Sequence, residues 1–186
     1  MHILYHISSH FHVLIISSLP ASSWTRWFEL VAANDRDHIA GLQALNATQA
    51  EIISIRQADR HAQGITANDE TSAKKAIATM EIKANGALNI VHLSHHHSAA
   101  VVDRLHPALG GIGFRNLLII SPQELNFFGQ GQWVQALAKT FPEACWYGGA
   151  LPERGFWGSH NLKANTVIDF LLTQCTNVAA NKMPCE

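Results

Sequence analysis

The residues best suited to chemistry in this chain are histidines, and they are clustered. His92, His95, His96 and His97 lie close together, and the last three are flanked by Ser94 and Ser98. A second group, His2, His6, His10 and His12, lies near the start. Imidazole binds Zn²⁺ readily, and a catalytic zinc site needs three protein ligands and an open position. Adjacent histidines on a strand or tight turn point in different directions and do not converge on one ion. On a helix His2, His6 and His10 would share a face, but the Tyr-Ile-Ser context there suits a helix poorly. Neither HExxH nor a Cys/His quartet is present. The sequence therefore assigns no metal ligands, and solvated or core histidine is the bland reading of both clusters. Cys145 reads either as a nucleophile or, beside Trp146 on a strand, as inert packing. Gly110-Gly111-Ile112-Gly113 precedes a strand instead of opening a helix, so it is no phosphate cradle and no cofactor is implied.

Positioning such residues requires a scaffold, and the apolar pattern supplies one. His12–Ser17, Glu51–Arg56, Ala87–Leu93, Arg115–Ser121 and Glu143–Tyr147 are short runs of strand length. Trp24, Trp27, Phe28 and Val31 follow helical spacing and predict one buried helix face. Asp37–Leu45 reads as a second short helix. Ala73, Ala76, Ile77 and Met80 mark a helix with Asp69 and Glu70 at its start, where the dipole favours them. Ser98, Val101, Val102 and Leu105 mark another, stopped by Pro107. Trp133, Val134, Leu137, Ala138 and Phe141 mark the next, and Ala164 to Cys175 the last. Apolar strands alternating with helices predict an α/β fold, a mostly parallel sheet with helices on both faces. Residues 1–186 are expected to form a single domain.

Composition narrows the partners. The chain is 47% hydrophobic and 15% charged, with a formal net charge of −1. No Lys precedes Lys74, and no basic stripe forms, which predicts no nucleic-acid partner. Cys145, Cys175 and Cys185 contain no CxxC and read as reduced thiols of a cytoplasmic protein. The apolar stretch Phe11–Ile16 lacks a preceding Lys or Arg and reads as a strand, not a signal peptide. No run approaches the length of a membrane span.

Three stretches together resemble the α/β-hydrolase superfamily. The first, HVLIISSLPASSWTRWFELVAA from His12, is similar to its strand, oxyanion loop and Trp-bearing helix. The second, NIVHLSHHHSAAVVDRL from Asn89, resembles the strand, nucleophile elbow and following helix. The third, RNLLIISP from Arg115, resembles the next strand. Gly158-Ser159-His160 before the last helix resembles the segment carrying the family's catalytic histidine. The elbow normally reads Gly-x-Ser-x-Gly, whereas here His96 stands at the nucleophile position between Ser94 and Ser98. The usual acid is missing, and Glu153 is the nearest carboxylate before His160. The lid is reduced to the Gly129–Phe141 helix.

The resemblance implies His96, His160, Ser94 and Glu153 as catalytic candidates. Ser17, Ser18, His97 and Trp157 would line the oxyanion hole and pocket. A hydroxyl, a base and an orienting carboxylate are what acyl transfer needs. The serines have a second reading as turn and cap residues. The expected function is hydrolysis of a small apolar ester or related carbonyl compound. The rival is a non-catalytic protein of the same fold binding a small molecule or a protein partner. A metal enzyme built on the histidine cluster is a third, weaker reading. Oligomeric state is not legible.

Overall fold

The structure, a computed structural model, describes residues 24–143 and 145–180, with backbone only at 24 and 177–180. The expected strand His12–Ser17, Ser17 and Ser18 themselves, the early histidines and Cys185 lie outside the described residues. The remainder divides into two compact units. One comprises the described residues up to Glu70 with Val102–Ile112; the other comprises Thr71–Val101 with the described residues from Gly113 on.

The first unit is helical. α1 (Trp24–Ala44) breaks at Asp37 and His38, where His38 takes φ 51° and ψ −136°. The break folds the helix back on itself, so a Cβ at Gly41 would overlap the Ala33 carbonyl. α2 (Gln49–Ala62) starts at a capping box in which Thr48 and Glu51 satisfy each other's backbone N–H. Leu30, Ile39, Leu42, Ile52 and Ile55 form this unit's core. Two expectations change here. Glu51–Arg56 is helix and not strand, because burial at Ile52, Ile55, Arg56 and Asp59 follows a helical period. The buried face of α1 passes through Leu30, while Phe28 is 56% exposed.

α3 (Ala67–Ala78) opens with Thr66 and Asp69 capping each other, and α4 (Ala99–Leu105) ends ahead of Pro107.

The second unit is built on a sheet of six strands, β1 (Glu81–Lys83), β2 (Leu88–His92), β3 (Leu117–Ile120), β4 (Leu125–Gln130), β5 (Trp146–Gly148) and β6 (Arg154–Ser159). Their order is β1-β2-β3-β4-β6-β5. Only β2 and β3 run parallel; every other neighbour is antiparallel. The expected mostly parallel sheet is therefore corrected, and with it the α/β-hydrolase assignment. The cause is local. Ser121-Pro122-Gln123-Glu124 makes a tight turn in which Ser121 N–H donates to Glu124 O. Pro suits the second position of such a turn. A parallel return needs a crossover of a dozen or more residues, so a link this short forces β4 to run back beside β3.

α5 (Gly131–Thr140) and α6 (Ala164–Ala180) follow β4 and β6. Trp133, Val134 and Leu137 of α5 join Val167 and Leu171 of α6 over Leu88, Ile90, Leu118, Phe127 and Trp157. The expected lid, Gly129–Phe141, is thus a core helix under the sheet. No helix among the described residues is long and apolar enough to cross a membrane.

Candidate functional site

The residues expected to form a hydrolytic site are spread over the sheet unit. Ser94 is exposed and shares a 2.9 Å hydrogen bond with Ser72. His96 is exposed, and its ring centroid lies 4.1 Å from that of His97. His97 N–H donates to His95 Nδ1 at 3.2 Å. None of Ser94–Ser98 has a positive φ; among the described residues the non-glycine residues that do are His38, Asn46, Ala84 and Asn85. The strained turn that exposes a hydrolase nucleophile is not formed here.

His160 leaves the end of β6. Its Nδ1 is 3.2 Å from Gln123 O, and its ring centroid is 4.6 Å from that of Trp146. His92 pairs with Ile120, Ile120 with Leu125, and Leu125 with Ser159. The two histidine segments thus leave one edge of the sheet, three strand spacings or roughly 14 Å apart at the backbone. Glu153 precedes the other end of β6, about 20 Å from His160 along an extended strand. The structure brings His96 and His160 to one edge, gives each ring a different neighbour, and leaves Glu153 at the opposite edge. Trp157 is fully buried in the core, and its indole N–H has no hydrogen-bond partner among the described residues. Among the described residues no group of three or more His, Cys, Asp or Glu is placed to hold a metal ion.

A different constellation emerges on the sheet face opposite α5 and α6. Directly paired residues of antiparallel strands point to the same side, and so do residues two apart. Phe128 pairs with Phe156, and Phe156 with Gly148. Asn126 pairs with Gly158, and Gly158 with Trp146. Gln130 pairs with Arg154. Extending the β3–β4 register by two residues places Arg115 beside Gln130. This face therefore carries a cationic row, two aromatic rows, and then Glu124 and His160.

Glycines set the shape of the aromatic rows. The Trp146 indole lies over Gly158, where a Cβ would overlap it, and the Phe156 ring lies over Gly148. Each ring covers a bare stretch of neighbouring strand, and the His160 ring lies beside that of Trp146. Trp146 remains 37% and Phe156 39% exposed, and Phe128 beside them is half-buried.

The cationic row is held by a chain of amides. Asn116, fully buried, donates to Ala87 O at 2.8 Å and to Gln130 Oε1 at 3.2 Å. Its own carbonyl accepts from Gln130 N–H at 2.9 Å. Gln130 Oε1 in turn accepts from Arg115 Nε at 3.1 Å. Arg154 Nη1 donates to Arg115 O at 3.3 Å, and its guanidinium sits 5.3 Å over the Phe114 ring. Arg154 is exposed as a residue, yet partial desolvation holds its guanidinium below its usual pKa. At the far end Glu124 accepts from Asn126 at 2.7 Å and lies 3.8 Å from His160 Nδ1.

Sequence reasoning missed Arg115, Gln130, Arg154 and Phe156. The alternation Arg154-x-Phe156-x-Gly158-x-His160 was a usable signal, because period two marks one face of a strand. Its cross-strand neighbours depend on register, which a single sequence does not display.

The helical unit has a shallow depression of about 580 Å³ lined by Gln43, Asn46, Gln49, Ile52 and Pro107 among others. It contains no titratable side chain.

No protein-family model matches the chain, and no curated protein matches it. Among solved structures, an exonuclease RecJ bound to manganese aligns with 73% of this chain at 13% identity and a TM-score of 0.38. The chain corresponds to 33% of that protein's length.

Proposed function

We propose that the sheet unit is a small-molecule binding module that receives a planar ring on the Trp146–Phe156 shelf. The observation that supports this is the pair of large aromatic side chains left open on one sheet face, each laid over a glycine. Aromatic surface of this kind stacks planar ligands in offset geometry, worth about 0.5–1.5 kcal/mol beyond the area it buries. The reading keeps the binding role expected from sequence and drops ester hydrolysis. It includes a cytoplasmic setting, supported by the free thiols of Cys145 and Cys175.

Calorimetric titration with 1-naphthol tests it. Wild-type protein binds the naphthalene ring, and Trp146→Ala and Phe156→Ala each weaken binding by about threefold to tenfold. No measurable heat with the wild type, or equal affinity in both variants, would sink the proposal.

A further inference from the structure

We infer that the ligand of this shelf carries an anionic group, a phosphate or a carboxylate, and that Arg115 and Arg154 seat it. The inference rests on the stacking reading above and adds the charge of what is stacked.

The argument starts from how the chain uses its arginines. Arg26 pairs with Glu51, Arg36 with Asp37, Arg56 with Asp59 and Asp103, Arg60 with Glu70 and Asp103, and Arg104 with Glu70. Arg115 and Arg154 are the remaining arginines of the sequence. Neither has a carboxylate partner among the described residues. Both lie on one row of one face, two strand spacings or roughly 10 Å apart at the backbone.

These guanidiniums are held in place without being neutralised. Arg115 spends Nε on Gln130, and Arg154 spends Nη1 on the Arg115 carbonyl. The other N–H groups of each fork are left for a ligand, in the geometry that matches carboxylate and phosphate oxygens. Arg154 is exposed, and what desolvation it has already disfavours its cation, with no carboxylate among the described residues to offset it. An arriving anion would supply that missing charge.

The spacing fits one molecule. Phe156 is two residues from Arg154, about 7 Å along the strand, which spans a ring and a short link to its charged substituent. The opposite end of the face carries Glu124, which repels an anion. A ligand would therefore lie with its ring on Phe156 and Trp146 and its charge toward the arginines.

The test compares 1-naphthol, 1-naphthyl phosphate and 1-naphthoate by calorimetry at low salt. The anionic probes bind about tenfold tighter than 1-naphthol, and added salt erodes the advantage. Arg154→Gln and Arg115→Gln remove the advantage, read within each variant as the ratio of anionic-probe to 1-naphthol affinity. A gain for the phosphate alone assigns a phosphate; an equal gain for 1-naphthoate assigns charge as the recognised feature; both support the seat. Anions no tighter than 1-naphthol, or an advantage that survives both substitutions, overturn the seat and leave the shelf standing. Failure of all three probes overturns both.

Discussion

Arg56 in the helical unit and Arg154 in the sheet unit carry the same side chain in opposite circumstances. Arg56 is 3% exposed and sits inside a closed network. It contacts Asp103 through Nε and Nη2, each at 3.1 Å, and Asp59 and Asn34 through Nη1 at 2.6 and 2.9 Å. Arg60 reaches Asp103 at 2.6 Å and Glu70 at 2.7 Å, and Arg104 reaches Glu70 at 2.6 Å. Three cations thus meet three carboxylates. Burial works against the charge of Arg60, yet Glu70 and Asp103 hold its pKa above the usual value. Arg154 is exposed, has no carboxylate partner among the described residues, and partial desolvation lowers its pKa. The same fork is therefore a structural pin where acids surround it and an open site where they do not.

The largest test of this contrast is Asp103→Ala. It removes the carboxylate shared by Arg56 and Arg60 and leaves two largely buried guanidiniums short of charge. Breaking a buried pair from one side costs about 3–5 kcal/mol. Urea denaturation of the full chain, followed by circular dichroism, should show that loss. A change below about 1 kcal/mol would mean that the network is not a pin.

Gly158→Ala probes the other side of the comparison. Its Cβ would overlap the Trp146 indole, so the ring must leave the strand it covers. A cost of about 1–3 kcal/mol is expected from such crowding, together with weaker 1-naphthol binding. Unchanged stability and unchanged binding would show that Trp146 does not need the glycine.

Much of the scaffold was legible from apolar spacing. β2, β3 and the helices α3 to α6 stand where continuous runs or helical periods placed them. The strands that reverse the sheet were not legible. β4 reads Leu-Asn-Phe-Phe-Gly-Gln and β6 reads Arg-Gly-Phe-Trp-Gly-Ser, so glycines and polar residues interrupt both runs. Glu51–Arg56 was ambiguous because a short apolar run fits either period, although Thr48-x-x-Glu51 carries the capping-box signature that decides it. The hydrolase resemblance matched strand-turn-helix segments without testing strand direction. The arginine row escaped the sequence reading for a related reason. Histidine clusters are visible along a chain, whereas unpaired arginines become visible only when every other charge has been placed.

Acid should act on the pinned unit in a defined direction. Arg26 and the Thr48 backbone hold Glu51 at about 2, down from 4.5. Glu70 is also lowered, since Arg60 and Arg104 outweigh its burial. Both carboxyls have a folded pKa below the unfolded one. Their contribution is therefore present above the unfolded pKa and is lost as pH falls through the folded one, which is about 2 for Glu51. Glu51 and Arg26 are partly exposed, at 21% and 36%, so screening keeps the Glu51 share within about 1 kcal/mol. Glu51→Gln should flatten the fall in urea midpoint between pH 5 and 2.5 (roughly the window between the unfolded and folded pKa of Glu51). An unchanged slope would remove Glu51 from the account.

The smallest expected effect decides most about Arg154. Arg154→Gln removes a cation stacked over Phe114, worth about 0.5–1 kcal/mol at a partly exposed site. It also removes the hydrogen bond to the Arg115 carbonyl. Against this, glutamine ends the desolvation penalty that lowers the arginine pKa, and no carboxylate among the described residues is left without its partner. The opposing terms are of similar size, so the urea midpoint should move by no more than about 0.5 kcal/mol equivalent in either direction. The shift should also be insensitive to salt, because no ion pair is being broken. Asp103→Ala supplies the scale on which this is small. A loss of several kcal/mol in Arg154→Gln would make Arg154 a structural pin like Arg56, and its guanidinium would no longer be free to meet a ligand. A near-neutral result combined with loss of the anionic advantage would separate the two uses of arginine within one chain.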